Sequence, residues 1–425
     1  MSFISKASLW SSQLCFILLL LVFISLPASI RINSLIVVAF SVSFLIYAII
    51  NRPNPSVREW DLYIIFTLFY LNQVIGYFFT DFDYQDAGHQ LEVKITLLLN
   101  PIFFIFFPTL TKRQLHTIFV VFIFSCLGFS LYATVLIFLS LLEQGSISIN
   151  EIKELLPIHR PFMGLYDLFA LVLCVHLVKE YNKFKRILFG VLAIYFVFFI
   201  IFIVAKAAIL ILVLFVILLV FRQTFNKFYY IVLYLMPVFF FSTMIFLYSY
   251  MQSTNQIIDE NFTPANFDPT ERHTIFEINQ VAEIGWKVRL SLWECGIEVW
   301  TKNVTSFWLG HGTGDDMTLL KECYKSKEQM LFYVAKFHSH NEYIQEAIKH
   351  GMVGLLLLLA AILYPYYLSI KLKKELYIYF LLLIMISMGS DVLLSSQKTT
   401  VLYSFFNALF AFQVLKKKDF LIKNS

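Results

Sequence analysis

The chain has 425 residues, of which 59% are hydrophobic, 18% aromatic and only 14% charged. Soluble domains carry about 25% charged and about 45–50% apolar residues, so this composition excludes a water-covered globular surface. Mean hydropathy is +0.74, and the chain reads as an all-α, polytopic integral membrane protein. The net charge of +5 must be divided by membrane side before it says anything about partners.

The N-terminal Met-Ser-Phe-Ile-Ser-Lys with its apolar run is similar to a secretory signal. No small-residue cleavage site follows cleanly, so the run is expected to stay as the first helix. A helix needs about 20 apolar residues to cross the hydrocarbon core. On that criterion about 12 transmembrane helices are predicted, near 13–30, 34–50, 61–79, 93–110, 115–142, 162–178, 187–204, 207–222, 228–249, 351–368, 376–390 and 400–415. The joins at 30–34 and 204–207 are tight. The resulting organisation is 1–249 with nine helices, a loop domain over 250–350, and 351–425 with three helices and a tail.

Positive residues stay in the cytoplasm. With both termini inside, the inner segments hold 18 of the 33 Lys and Arg residues, the short outer segments six and the long loop nine. The six are Arg31, Lys94, Lys153, Arg160, Lys206 and Lys398. Counting acids as well, the inside has 18 basic against five acidic residues and the outside 15 against 23. The +5 therefore records membrane orientation and calls for no nucleic-acid partner. The long loop is predicted to be extracytoplasmic, with a polar stretch over 255–270, a helix from Gly285 to Trp300 and a tight turn at Gly310-His-Gly-Thr-Gly314. That turn lacks the Gly-Lys-Ser/Thr ending of a nucleotide cradle.

An enzyme on the outer face has no ATP and needs an energised substrate delivered in the membrane, such as a polyprenyl-diphosphate sugar. Its requirements are cations for the diphosphate and a base for an acceptor hydroxyl. Arg289 lies in Trp286-Lys-Val-Arg-Leu-Ser-Leu-Trp293, where apolar residues at 286, 290, 293, 297 and 300 form a stripe of helical period. Such a helix is expected on the membrane–water boundary, with Arg289 near headgroup height or paired with Glu283 or Glu294. Lys206 stands alone between two apolar spans. Burial at a helix centre would cost roughly 3 kcal/mol, so it is either functional or snorkelling to the interface.

His338 and His340 flank a serine in Phe337-His-Ser-His-Asn-Glu-Tyr-Ile-Gln345. No third ligand motif is near, so no metal and no cofactor is expected. An imidazole that titrates near neutrality suits a general base, with Asn341 orienting the ring or a sugar hydroxyl. The five cysteines contain no C-x-x-C pair. Cys295 and Cys323 fall in the outer loop, where an oxidising compartment permits a bridge; the sequence leaves their distance open. Cys15, Cys126 and Cys174 read as packing residues within the membrane.

In order along the C-terminal half, about 200–412, come Ala205-Lys-Ala-Ala, Arg289-Leu-Ser-Leu-Trp, Leu309-Gly-His-Gly-Thr-Gly, His338-Ser-His-Asn-Glu-Tyr-Ile-Gln, His350-Gly-Met-Val-Gly-Leu and Ser395-Ser-Gln-Lys-Thr. This ordered set resembles the O-antigen ligase and O-antigen polymerase superfamily of bacterial inner-membrane enzymes. The resemblance implies a GT-C-like, metal-independent, inverting glycosyltransferase of lipopolysaccharide biosynthesis that uses an undecaprenyl-diphosphate-linked glycan donor. It implies that Arg289 and Lys206 hold the diphosphate, that His340 deprotonates the acceptor, and that His338 is the reserve base or a sugar contact. Many members have Arg where this chain has Lys206, and lysine offers no bidentate fork. A ligase would take a lipid A core acceptor, a polymerase a second lipid-linked repeat, and a third relative a protein hydroxyl. The layout with one large loop after the ninth span favours the ligase. A transporter of lipid-linked sugars stays open as another class, with Lys206, Asp167 and Asp391 as pathway charges.

Overall fold

The computed structural model describes residues 3–54, 60–147, 149–253 and 286–415. The polar stretch 255–270, Glu283 and the Lys416–Lys418 tail lie outside the described residues. In chain order the helices are α1 (Phe3–Ser25), α2 (Ile30–Asn51), α3 (Trp60–Phe78), α4 (Tyr84–Lys94), α5 (Thr96–Phe106), α6 (Lys112–Gln144), α7 (Ile149–Leu155), α8 (Arg160–Glu180), α9 (Lys183–Phe202), α10 (Lys206–Thr224) and α11 (Asn226–Ser253). There follow α12 (Trp286–Trp300), α13 (Val304–Leu309), α14 (Asp316–Ser326), α15 (Met330–Ala335), α16 (Glu342–Lys371), α17 (Glu375–Met388) and α18 (Gln397–Leu409), which ends in a π-turn over Phe410–Val414. All regular structure among the described residues is helical.

Nine helices among the described residues are long and apolar enough to cross a membrane. The other three predicted spans coincide with shorter helices, α5 of 11 residues, α17 of 14 and α18 of 13. Both tight joins separate two helices. Ser29 caps α2, and Val204 at φ 52° turns the chain between α9 and α10. The predicted span 93–110 divides at Ile95, and Pro101 sits inside α5.

The helices sort by environment. α2, α9 and α11 present large bare apolar side chains such as Leu35, Ile194 and Phe239, which suits lipid contact. α8, α17 and α18 are buried along most of their lengths. Phe406 of α18 is the hub, with ring centroids 4.7 Å from Phe23, 5.0 Å from Phe122 and 4.7 Å from Phe169. Short α17 and α18 are thus sheathed by protein and do not need the length of a lipid-exposed span.

The segment from α12 to α15 builds a second, smaller core from Val288, Leu292, Cys295, Val299, Leu320, Tyr324 and Phe332, closed by Ile348 of α16. Cys295 and Cys323 form a disulfide that ties α12 to α14, with Cα atoms 5.8 Å apart. Of the predicted boundary stripe on α12, Leu290 and Trp293 are buried and Trp300 stacks on Phe307 at 5.3 Å. This helix therefore packs on protein from more than one side.

The Gly310–Gly314 turn is a packing wedge. Gly351 at φ 61° kinks α16, and the carbonyls just before the kink accept from the turn: His311 N–H donates to Ile348 O at 3.0 Å and Gly312 N–H to Lys349 O at 2.9 Å. Thr313 N–H reaches Gly76 O of α3 at 3.1 Å. Next to it, the Asp315 carboxylate accepts from the N–H groups of Asp81, Phe82 and Asp83 at 2.7, 2.9 and 3.2 Å.

A side chain has no room at the wedge. A Cβ on Gly351 would stand 2.3 Å from Trp308 C, and one on Gly310 2.4 Å from His350 N, both on left-handed backbone. Gly351→Ala and Gly310→Ala are each expected to lower the melting temperature of the purified protein by several degrees. Gly88→Ala, whose Cβ would meet nothing within 4 Å, should hold or raise it because alanine favours the helix by up to about 1 kcal/mol. Equal melting temperatures for all three variants would overturn the wedge.

Candidate active site

Three chain segments meet at the site: α12 with Arg289, residues 337–341 leading into α16, and the loop 389–396 between α17 and α18. The first contact is a backbone one, Arg289 Nε donating to Ser390 O at 3.1 Å. Burial pushes the Arg289 guanidinium down and the Asp391 carboxylate opposes this. Glu294, the expected alternative partner, pairs instead with Lys327 at 2.8 Å.

The His-Ser-His segment is pinned at its middle. Ser339 is fully buried, and its N–H and Oγ both donate to Gln345 Oε1, at 3.1 and 2.7 Å. His340 takes a left-handed φ of 47°, which is uncommon for a non-glycine and marks stored strain at functional positions. The two imidazoles lie with centroids 4.2 Å apart.

His340 Nδ1 is 3.2 Å from Asp391 Oδ1, and its side chain is 26% exposed against 9% for the aspartate. The ring is thus both anchored and reachable. Asp391 Oδ1 also accepts from Val392 N–H at 2.9 Å. Burial alone would raise the Asp391 carboxyl, but the hydrogen bond and charge of His340, with His338, hold it at about 2. An ionised Asp391 fixes the proton of His340 on Nδ1 and leaves Nε2 as an acceptor.

His338 is placed differently. Its Nδ1 accepts from His340 N–H at 3.1 Å, so in the neutral ring the proton sits on Nε2. Burial first, then the charge of His340, pull His338 down to about 4, which keeps it neutral at pH 7. Asn341 is turned toward α16. Its Oδ1 accepts from Tyr343 and Ile344 N–H at 2.9 and 3.2 Å, and it is buried. Its Oδ1 thus caps α16, while the group hydrogen-bonded to the His340 ring is Asp391.

Lys206 is the exposed first residue of α10. Its neighbours Ala207 and Ala208 share a cavity with Pro161, Ser390 and Asp391, so the start of α10 faces the same loop as the dyad. Sequence reasoning assigned Asp391 only to a transport path and gave His159 and Arg160, at the start of α8, no role. The signal for Asp391 was positional: it is the single acid between Glu375 and Asp419. Among the described residues one group has the composition of a metal site, His338, His340 and Asp391, with ligand atoms within 4.8 Å of one another. Both Nδ1 atoms are already engaged in hydrogen bonds inside the group.

Nine membrane-length helices among the described residues and this polar cluster beside them define a multi-pass membrane protein with a histidine–aspartate centre. Residues 205–359 match the family model described as O-antigen ligase, in agreement with the motifs of the C-terminal half. That match covers about a third of the chain and is to a family of membrane glycosyltransferase-like enzymes. No match was found among curated proteins.

The folded value of His338, about 4, lies below the ordinary value near 6.5. Between these pH values the folded protein binds fewer protons than the unfolded chain, so the contribution of neutral His338 is full above pH 6.5 and is lost as pH falls toward 4. The drop in melting temperature from pH 7.5 to pH 5 should be smaller in His338→Asn than in the wild type. Equal drops would show that His338 is not held neutral.

Proposed function

We propose that the chain is a ligase-type glycosyltransferase. It transfers a glycan from undecaprenyl diphosphate to a hydroxyl of a lipid A core sugar on the periplasmic face of the bacterial inner membrane, with both termini cytoplasmic. The observation that carries this reading is the His340–Asp391 pair, 3.2 Å apart, with Arg289 of α12 bound to Ser390 O, next to Asp391. The 18-to-6 distribution of basic residues supports the sidedness. The large segment between α11 and α16, late in the chain, supports ligase over polymerase.

Asp391 holds the Nδ1 proton of His340, and Nε2 takes the proton of the acceptor hydroxyl. The acceptor oxygen attacks the anomeric carbon from the face opposite the diphosphate. The new carbon–oxygen bond forms as the bond to the diphosphate breaks, and the departing electron pair stays on the diphosphate, so configuration inverts. Arg289 and Lys206 meet the charge that develops there, and His338 offers its Nε2 proton to a sugar or phosphate oxygen. Every step uses side chains of this chain, with no metal.

Complementation of a strain lacking its own ligase, compared with one lacking its polymerase, tests the reading. His340→Ala should abolish polysaccharide attachment to lipid A core at normal protein level, and Asp391→Asn should lower it by roughly 10²-fold or more. Full attachment by His340→Ala would sink the base assignment, and rescue of the polymerase strain alone would move the acceptor to a lipid-linked repeat.

The two cationic substitutions separate charge from geometry. Arg289→Ala should reduce donor use far more than Arg289→Lys in a reconstituted assay, and activity should persist in EDTA. Equal losses for the two Arg289 variants would remove the diphosphate grip, and loss in EDTA the metal-free step.

A further inference from the structure

Lys398 is the basic residue that the proposed chemistry leaves over. It stands in the first turn of α18 and is only 8% exposed. Other buried cations have partners: Lys94 hydrogen-bonds Gln73 at 2.6 Å, Lys349 lies 3.6 Å from Asp316, and Arg289 binds Ser390 O. Among the described residues the Lys398 ammonium has none. Asp391, the nearest acid along the chain, is committed to His340.

The helix makes this harder to sustain. The N-terminal end of α18 carries positive potential, which repels a cation and attracts an anion. Ser396 supplies no side-chain cap, so the first-turn N–H groups add to the unmet donors.

The residue is also held in place. Its carbonyl accepts from Tyr166 O–H of α8 at 3.0 Å. Thr399 Oγ1 donates to Leu393 O and Thr400 Oγ1 to Leu394 O, and Leu394 N–H is bound by Glu342 at 2.8 Å. The loop that carries Asp391 at one end therefore delivers Lys398 at the other.

A largely buried lysine with no acidic partner, on a backbone held beside an uncapped helix terminus, is a cost in the ligand-free protein and a gain once an anion arrives. We propose that Lys398 and the first turn of α18 form an anion subsite for a phosphate group of a substrate. Two sources share that chemistry, the diphosphate of the donor and a phosphate on the acceptor glycan. The assignment of source rests on the glycosyltransferase reading; the binding does not.

The test uses the full chain in detergent, with inorganic pyrophosphate and glucose 6-phosphate as probes in calorimetric titrations. Lys398→Met should weaken one probe at least tenfold and Lys398→Arg change it less than about threefold. Loss confined to pyrophosphate assigns the subsite to the donor, and loss confined to the sugar phosphate assigns it to the acceptor. The ligand-free melting temperature of Lys398→Met should equal or exceed that of the wild type, because the substitution removes an uncompensated charge. Unchanged affinity for both probes, or no binding of either by the wild type, would overturn the proposal. So would a Met variant that melts lower and binds normally, which would make Lys398 a packing residue. Failure of the complementation assay alongside Lys398-dependent binding would remove the glycosyltransferase reading and leave the subsite standing.

Discussion

The arrangement rests on one buried charge, the ammonium of Lys94 at 1% exposure. A cation out of water has to be surrounded by acceptors. Lys94 donates to Gln73 of α3 at 2.6 Å and lies 3.8 Å from Glu346 of α16. Glu346 in turn accepts from Gln73 Nε2 at 2.6 Å and meets His350 Nδ1 at 2.8 Å. His350 Nε2 is 3.1 Å from Thr313 Oγ1, which donates to Gln73 O at 2.7 Å. Helices α3, α4 and α16 and the Gly310–Gly314 turn thus share one connected network of donors and acceptors. Sliding α16 by a turn would strand Glu346 and Lys94 together.

Fixing α16 fixes the chemistry above it. Glu342 and Tyr343, in its first turn, hold the following loop and helix through Leu394 N–H and Met385 O, each at 2.8 Å. The segment with His338 and His340 and the loop with Ser390 and Asp391 are therefore set against each other by a helix whose register is decided below them. The strained φ of His340 persists because both flanks are pinned, at Ser339 and at the Asn341 cap. Rigid packing on one side and a reachable imidazole on the other is the combination that proton transfer at a defined atom requires.

Much of this was legible in the sequence, and the reasons differ by feature. Apolar runs near 20 residues mark lipid-facing helices because the bilayer supplies no hydrogen bonds, and α2, α9 and α11 follow that rule directly. α5, α17 and α18 are shorter because their neighbours are protein, which no run length can reveal. The His-Ser-His-Asn motif singled out His340 and Asn341 by their chemistry, but that Asn341 Oδ1 caps α16 depends on where the helix begins. Asp391 was visible as a lone acid, but its pairing spans about fifty residues of chain and is set by packing alone.

By itself, the sequence determined the all-α, multi-pass class and the order of the motifs, because hydropathy acts locally along the chain. Only the tertiary structure decided which polar groups meet. Gly310–Gly314 became a wedge because the kink at Gly351 frees two carbonyls. Arg289, His340 and Asp391 became neighbours because α12, α16 and the 389–396 loop converge. The physical reason is that a buried polar group is stable only with its partner in hand, and partners far apart in sequence are chosen by the packing of the whole molecule.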